Sequence, residues 1–311
     1  MRNRLITLVG GGGFLGRYIA QELLATGARV RIAQRDPRQA FFLKPLGGLG
    51  QTQFVAADIR KPESLARAFE GADSVVNLVG VRRGDYRGLH VVGAANAARV
   101  AAAAGVGSFV HVSSAGADSE APSEYSRSKA AGEDAVRDAF PQAVIVRPSI
   151  LFGRESGFIN MLAGMIATLP VVPVVRPGWR CQPVYVADVA AAIVKILADP
   201  AAFAGHVPEF GGPDILAMRD LIAAIAKATG REPWTVELPD VAGSLLAMFG
   251  FLPGSPLSRQ EWLALQHDNL PRGGTEGLAA LGIAPTPFSA VAPGWLVRYR
   301  RHGRFGTRAA A

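Results

Sequence analysis

Tyr125 and Lys129 stand four residues apart, and the pair Ser113-Ser114 precedes them by a short loop. On a helix that spacing puts phenol and ammonium on one face. An ammonium beside a phenol favours the phenolate and draws the tyrosine pKa down towards neutrality. Tyr125 could then exchange a proton with a substrate oxygen that a serine hydroxyl positions. A second pattern sits near the start of the sequence. Gly10-Gly11-Gly12-Gly13-Phe14-Leu15-Gly16 contains the spacing Gly10-x-x-Gly13-x-x-Gly16 between an apolar run and a helical one. There Gly10 permits a tight bend, Gly13 lets backbone approach a pyrophosphate, and Gly16 lets helix pack on strand. The helix start offers free N–H groups and a positive dipole end to that diphosphate. Together the two patterns predict hydride exchange with a nicotinamide dinucleotide, Tyr125 handling the proton and Lys129 also holding the nicotinamide ribose.

Which dinucleotide turns on the end of the second strand. Val30-Arg31-Ile32-Ala33 leads to Gln34-Arg35-Asp36. Gln34 takes the place of the carboxylate that would accept from ribose hydroxyls. Arg35 follows it, and Arg17 follows the last loop glycine; two guanidiniums can fork onto a 2′-phosphate. The expectation is NADP(H). A register slip of two residues would make Asp36 the carboxylate of an NAD site; otherwise Asp36 is a turn or N-cap residue before Pro37. Asp58 and Ile59 are expected beside the adenine, and Leu78, Val79 and Gly80 beside the cofactor ribose.

The elements that must position these groups alternate. Strands are expected at Arg4–Val9, Arg29–Ala33, Gln53–Ala56, Ser74–Val79, Ser108–Val112 and Ala143–Val146. Helices fall between them at Phe14–Ala25, Glu63–Phe69, Leu89–Ala104 and Glu124–Ala139. Strands at such intervals mean βαβ units, so an α/β fold with a doubly wound parallel sheet, the Rossmann arrangement. After Pro148 the rhythm changes and prolines punctuate the chain. The expected organisation is a nucleotide domain over 1–150 plus about 181–200, and a smaller, mostly helical lid from 151–180 and 201–311.

Composition removes several classes. Cys181 alone rules out a disulfide framework and a cysteine zinc site, and the histidines show no metal-ligand spacing, so no metal is expected. Met1-Arg-Asn-Arg leads into too short an apolar run for a signal peptide. Gly157–Val175 is uncharged but broken by Pro170 and Pro173, so no transmembrane helix is expected. The net charge of +8 favours anionic partners, or reflects an arginine-rich codon bias. Nothing resembles a base-reading element, so nucleic acid is not expected. Arg298, Arg300, Arg301, Arg304 and Arg308 interleave with Trp295, Tyr299 and Phe305 without one acid. That combination suits an anionic membrane surface or a partner, or else a solvated tail. The apolar stretch Val241–Phe251 suits lid core, or a groove or membrane interface.

Taken together, the motifs resemble the extended short-chain dehydrogenase/reductase superfamily. The matches are the glycine loop, Asp58-Ile59, Asn77-Leu78-Val79-Gly80, Ser113-Ser114, Tyr125-x-x-x-Lys129 and Arg147-Pro148-Ser149. The resemblance implies that Ser113 or Ser114 orients substrate, Tyr125 is the acid/base, Lys129 is its partner, and Pro148 and Ser149 lie beside the nicotinamide. His90 departs from it: extended members usually carry Asn there. It could relay protons or, the preferred reading, be a solvated helix residue. The loop between Ser114 and Tyr125 is also short. A narrower likeness runs nearly end to end. It rests on residues 13–18, 110–113, 147–153, 182–190 and 209–213 and on the stretch from Leu270 to Arg300. It is similar to the NADPH-binding accessory subunit of respiratory complex I, the NADH:ubiquinone oxidoreductase, and its bacterial relatives. This implies a tightly held, mainly structural nucleotide, complex I subunits as partners, and a cytoplasmic protein peripheral to the inner face of a bacterial inner membrane. The other class is an active NAD(P)-dependent oxidoreductase, or an epimerase or dehydratase. It would act on a carbonyl, sugar nucleotide or hydrophobic alcohol through Tyr125 and Lys129.

Overall fold

A computed structural model describes residues 1–250, 257–273, 277–301 and 303. The chain divides into two compact units. One comprises Met1–Pro148, Val186–Phe210 and Pro271–Ala284; the other comprises Ser149–Tyr185, Gly211–Leu270 and Pro285–Ala311.

The first unit is a parallel sheet with helices. Its strands are β1 (Leu5–Val9), β2 (Arg29–Gln34), β3 (Thr52–Ala56), β4 (Ser74–Asn77), β5 (Ser108–Val112) and β6 (Val144–Pro148), with the short strand Glu209–Phe210 at one edge. The order is Glu209–Phe210, β6, β5, β4, β1, β2, β3, every pairing parallel. This order reverses direction at β1, and ligands of such sheets sit at the carboxyl ends of the strands beside that point. Central β1 is buried along its whole length, as a strand covered on both faces must be. Edge strand β3 is only half-buried.

Helices α1 (Phe14–Ala25), α2 (Pro62–Phe69), α3 (Gly93–Ala103) and α4 (Glu124–Ala139) join these strands. Leu15, Ile19 and Leu23 of α1 recur at the helical period and are buried. On α3 the buried positions are mainly alanines, Ala94, Ala97, Ala98 and Ala101, which let neighbouring helices approach closely. The expected single helix Leu89–Ala104 is in fact two pieces. One turn of π-helix covers Arg87–Val92 and runs directly into α3. Such turns insert a residue and cluster at functional sites; hydrophobic period does not resolve one.

The second unit has its own apolar core, including Phe152, Ile159, Leu221, Ile225, Phe288 and Leu296. Its helices include Gly157–Thr168, Met218–Thr229, Asp240–Met248 and Phe288–Leu296. Three two-stranded ribbons add to the mainly helical expectation: Val184–Tyr185 with Leu151–Phe152, Leu216–Ala217 with Arg180–Cys181, and Trp234–Leu238 with Val171–Val175. The two-residue strands of the first two ribbons carry no alternation to read. Among the described residues, no helix is long and apolar enough to cross a membrane. The apolar stretch ends its helix at Met248, and Phe251 lies outside the described residues, as do Arg304, Phe305 and Arg308.

Candidate nucleotide site

The glycine loop bends where β1 ends. Gly10 has φ +78°, a left-handed conformation that favours glycine, and its carbonyl accepts from Gly13 N–H at 3.0 Å. α1 starts at Gly13 with no side-chain cap, so its first N–H groups are free for an anion. A Cβ on Gly16 would overlap the Gly11 carbonyl, so helix and turn touch backbone to backbone. Leu15 is buried beneath the loop, while Phe14 packs edge-on against Tyr18 at 6.1 Å.

The strand register places Gln34 at the tip of β2, opposite Ala56. Its side chain turns inward. Gln34 Oε1 accepts from Gly12 N–H at 3.0 Å, and Nε2 donates to the Asp36 carbonyl at 2.7 Å. Asp36 takes the N-cap role: it accepts from Arg38 N–H at 3.1 Å and pairs with the Arg38 guanidinium at 3.0 Å. Arg35 is exposed at the strand end. Arg17 lies over the Phe42 ring, 4.6 Å from its centroid. Asp58 pairs with Arg60 at 2.7 Å, and that hydrogen bond holds its carboxyl down to about 2. Ile59 is buried against Gly93 of α3.

β4 delivers the next loop. Asn77 Oδ1 accepts from Val79 N–H at 3.1 Å, and its amide meets His111 Nδ1 at 3.0 Å. A Cβ on Gly10 would sit 3.3 Å from Val79 Cγ2 and 3.6 Å from the Leu78 carbonyl carbon, so Leu78 and Val79 lie against the glycine turn.

β5 and α4 bring the Ser-Tyr-Lys set together. Ser113 is buried, and its Oγ has no hydrogen-bond partner among the described residues. A buried hydroxyl in that state calls for a ligand or solvent partner. Ser114 Oγ accepts from Gly116 N–H at 3.3 Å and hydrogen-bonds the half-buried Tyr125 phenol. Burial pushes the Tyr125 phenol up from its ordinary value, against the smaller pull of Ser114 and of the Arg82 charge. This corrects the expectation of a phenol drawn towards neutrality by Lys129. The Lys129 ammonium instead donates to the Val112 carbonyl at 2.9 Å, and burial lowers it to about 8.

Pro148 closes β6, its carbonyl accepting from Ala115 N–H at 3.0 Å. Ser149 begins the second unit, where its hydroxyl lies 2.9 Å from the Asn269 carbonyl and 2.8 Å from the Asn269 side-chain oxygen.

His90 is the second correction. It is 1% exposed, not solvated. Nε2 accepts from Val81 N–H at 2.9 Å and Nδ1 meets Ser128 Oγ at 2.8 Å. Ser128 in turn donates to the Tyr125 carbonyl at 2.7 Å. The rings of Tyr86 and Tyr125 flank the imidazole at 5.5 and 5.6 Å. Sequence reasoning missed Tyr86 and Ser128. Ser128 is i+3 from Tyr125, a spacing that signals a shared face but not a partner 38 residues away.

Free helix N–H groups, an unpartnered buried hydroxyl and a glycine turn fit a dinucleotide; the first unit is a Rossmann-type nucleotide-binding fold. Residues 10–200 match the NAD(P)H-binding family. The chain is 36% identical over 306 residues to NADH dehydrogenase (ubiquinone) 1 alpha subcomplex subunit 9 of Mus musculus, covering 95% of this chain and 80% of the relative. It is 31% identical over 261 residues to the ceramide reductase of Caulobacter vibrioides, covering 81% of this chain and 80% of that protein. Among solved structures, a dTDP-glucose 4,6-dehydratase from Streptomyces venezuelae with NAD and TYD bound aligns with a TM-score of 0.72 at 20% identity. That match covers 96% of this chain and 98% of that one, a likeness of fold. The chain belongs to the NAD(P)H-binding family and, within it, to the group that contains the subunit 9 proteins. Among the described residues no cluster of side chains could hold a metal ion.

Proposed function

We propose that the chain binds NADP(H) in its first unit and serves as an accessory or assembly subunit of a respiratory NADH:ubiquinone oxidoreductase, with the nucleotide mainly structural. The observation that carries this is the likeness to the mouse subunit 9 protein over 95% of the chain. NADP(H) is favoured over NAD because β2 ends without a free carboxylate. Gln34 is turned onto Gly12, and Asp36 is tied to Arg38. Arg35 and Arg17 are the candidate partners of a 2′-phosphate. The remaining candidates in the first unit are Gly10, Gly13, Phe14, Leu15 and Gly16 at the pyrophosphate, Asp58 and Ile59 at the adenine, Leu78, Val79 and Gly80 beside the cofactor ribose, and Pro148 beside the nicotinamide.

Mass spectrometry of the purified native protein tests the nucleotide, with one bound NADP(H) per chain expected. Arg35→Ala should weaken NADPH about tenfold and leave NADH unchanged, as loss of one charge-assisted contact would. Equal weakening of both would remove Arg35 from the phosphate site. Native gels of membranes from cells carrying a tagged chain test the partner, with the tag expected to migrate with the NADH dehydrogenase. Docking at an anionic membrane surface through Arg298, Arg300 and the arginines that follow predicts release by salt. A tag wholly in the soluble fraction at low salt would refute it.

The likeness to ceramide reductase favours a second reading, an oxidoreductase acting on a hydrophobic carbonyl or alcohol. In that reading Tyr125 passes its proton to a carbonyl oxygen held by Ser113 or Ser114. A bound dihydronicotinamide would supply the hydride to carbon. Tyr125→Phe separates the two. An enzyme loses turnover while still binding nucleotide; an accessory subunit keeps both nucleotide and assembly.

A further inference from the structure

The loop that leaves β4 and the helix that carries Tyr125 meet through one side chain. Val81 N–H, at the far end of that loop, donates to His90 Nε2 at 2.9 Å. An acceptor Nε2 in a neutral ring makes Nδ1 the protonated nitrogen. Nδ1–H then faces Ser128 Oγ at 2.8 Å, whose own proton is committed to the Tyr125 carbonyl. The chain of donors is therefore consistent from end to end. Asn77 holds the same loop from its near end through Val79 N–H, and the loop lies against the glycine turn at Val79.

The π-helical turn Arg87–Val92 carries His90. Gly132 of α4 gives the His90 backbone its room, since a Cβ there would overlap the His90 carbonyl. Tyr86 and Tyr125 close the flanks of the ring, and its burial lowers His90 to about 4, keeping it neutral.

We infer that His90 is a positioning residue: neutral and protonated on Nδ1, it ties the loop Leu78–Val81 to the turn of α4 bearing Tyr125 and Lys129, so that two walls of the nucleotide pocket are held as one piece. This rests on the reading that the first unit binds NADP(H). The His90 ring packs edge-on against Tyr125, but its hydrogen bonds go to the Val81 N–H and the Ser128 hydroxyl, not to the Tyr125 phenol. Its effect passes through Val81 and Ser128.

The test joins a spectroscopic signature to an affinity. Long-range nitrogen–proton NMR of histidine-labelled full-length protein should show His90 as the Nδ1–H tautomer at about pH 7. His90→Asn reaches only the Ser128 side, whereas His90→Gln can place an oxygen where Nε2 meets Val81. Calorimetry with NADPH should give about tenfold weaker binding for His90→Asn and within about threefold of wild type for His90→Gln. An Nε2–H tautomer overturns the inference alone. So does a folded His90→Asn protein that binds as tightly as wild type. Wild-type silence towards both NADPH and NADH overturns the nucleotide reading and this inference with it. Should His90→Asn not fold, Ser128→Ala serves: the Nδ1–H tautomer, fixed by Val81, should persist while affinity falls about threefold. Unchanged affinity would overturn the inference.

Discussion

The Lys129 ammonium donates to the Val112 carbonyl at 2.9 Å, at the end of β5 and one residue before the Ser113-Ser114 pair. The lysine on α4 is thereby fastened to the strand that carries the serines. Burial disfavours its charge, and the nearby Glu133 carboxylate offsets only part of that. Carbon NMR of labelled lysines should find a titration near pH 8 that is absent in Lys129→Met. The sign follows from the lowered pKa: the native state binds this proton less tightly than the unfolded chain. The group therefore destabilises the fold below about pH 8, and that cost shrinks as pH rises towards the ordinary lysine value.

Acid should unfold the first unit through its histidines. His90 and His111 are buried, and burial lowers the pKa of both, His90 to about 4. Their depressed values stabilise the fold above the ordinary histidine pKa, and that contribution is lost as pH falls towards 4. The His90 difference corresponds to about 3 kcal/mol. Urea denaturation between about pH 7 and 4.5 should show this slope, and His90→Gln should flatten it. Asp58, held down to about 2, titrates in a lower window and does not mask it.

Gly132→Ala should cost more than an ordinary helix substitution gains. Alanine is the better helix former, yet its Cβ would overlap the His90 carbonyl. We expect a loss of about 2–4 kcal/mol, as overpacking against backbone gives, together with weaker nucleotide binding. Thermal melts and NADPH calorimetry on one preparation check both. Gly164→Ala, on the helix Gly157–Thr168 with open space at its Cβ, is the control and should be neutral or stabilising.

Arg147 is clamped between two buried carboxylates, Glu133 at 2.6 Å and Glu209 at 3.0 Å. Arg147→Met leaves Glu209 without its cation and Glu133 with only Arg137, at 3.2 Å, and should cost about 3–5 kcal/mol. Adding Glu133→Gln and Glu209→Gln to that variant should recover part of the loss. Denaturation of the single and triple variants reads it; a triple variant no more stable than the single one would argue against charge as the cause.

Much of the first unit was written in local pattern. The glycine spacing, the helical recurrence of Leu15, Ile19 and Leu23, and the buried run of β1 each follow from near neighbours in the chain, so sheet, loop and the face shared by Tyr125 and Lys129 were readable. Short ribbons such as Arg180–Cys181 with Leu216–Ala217 were not, because a pairing of two residues has no period. Nor was the π-helical turn at Arg87–Val92, whose extra residue is hidden in an otherwise helical run.

The amino-acid sequence by itself determined the architecture and the chemical vocabulary: a parallel sheet, a diphosphate turn, and a serine, tyrosine and lysine at its rim. These depend on steric and hydrophobic rules that act over a few residues. Only the tertiary structure decided the state of those groups. It set Lys129 on Val112, turned Gln34 onto Gly12, and buried His90 between Val81 and Ser128. Desolvation and hydrogen bonding depend on which distant segments come together, and partners tens of residues apart leave no local trace.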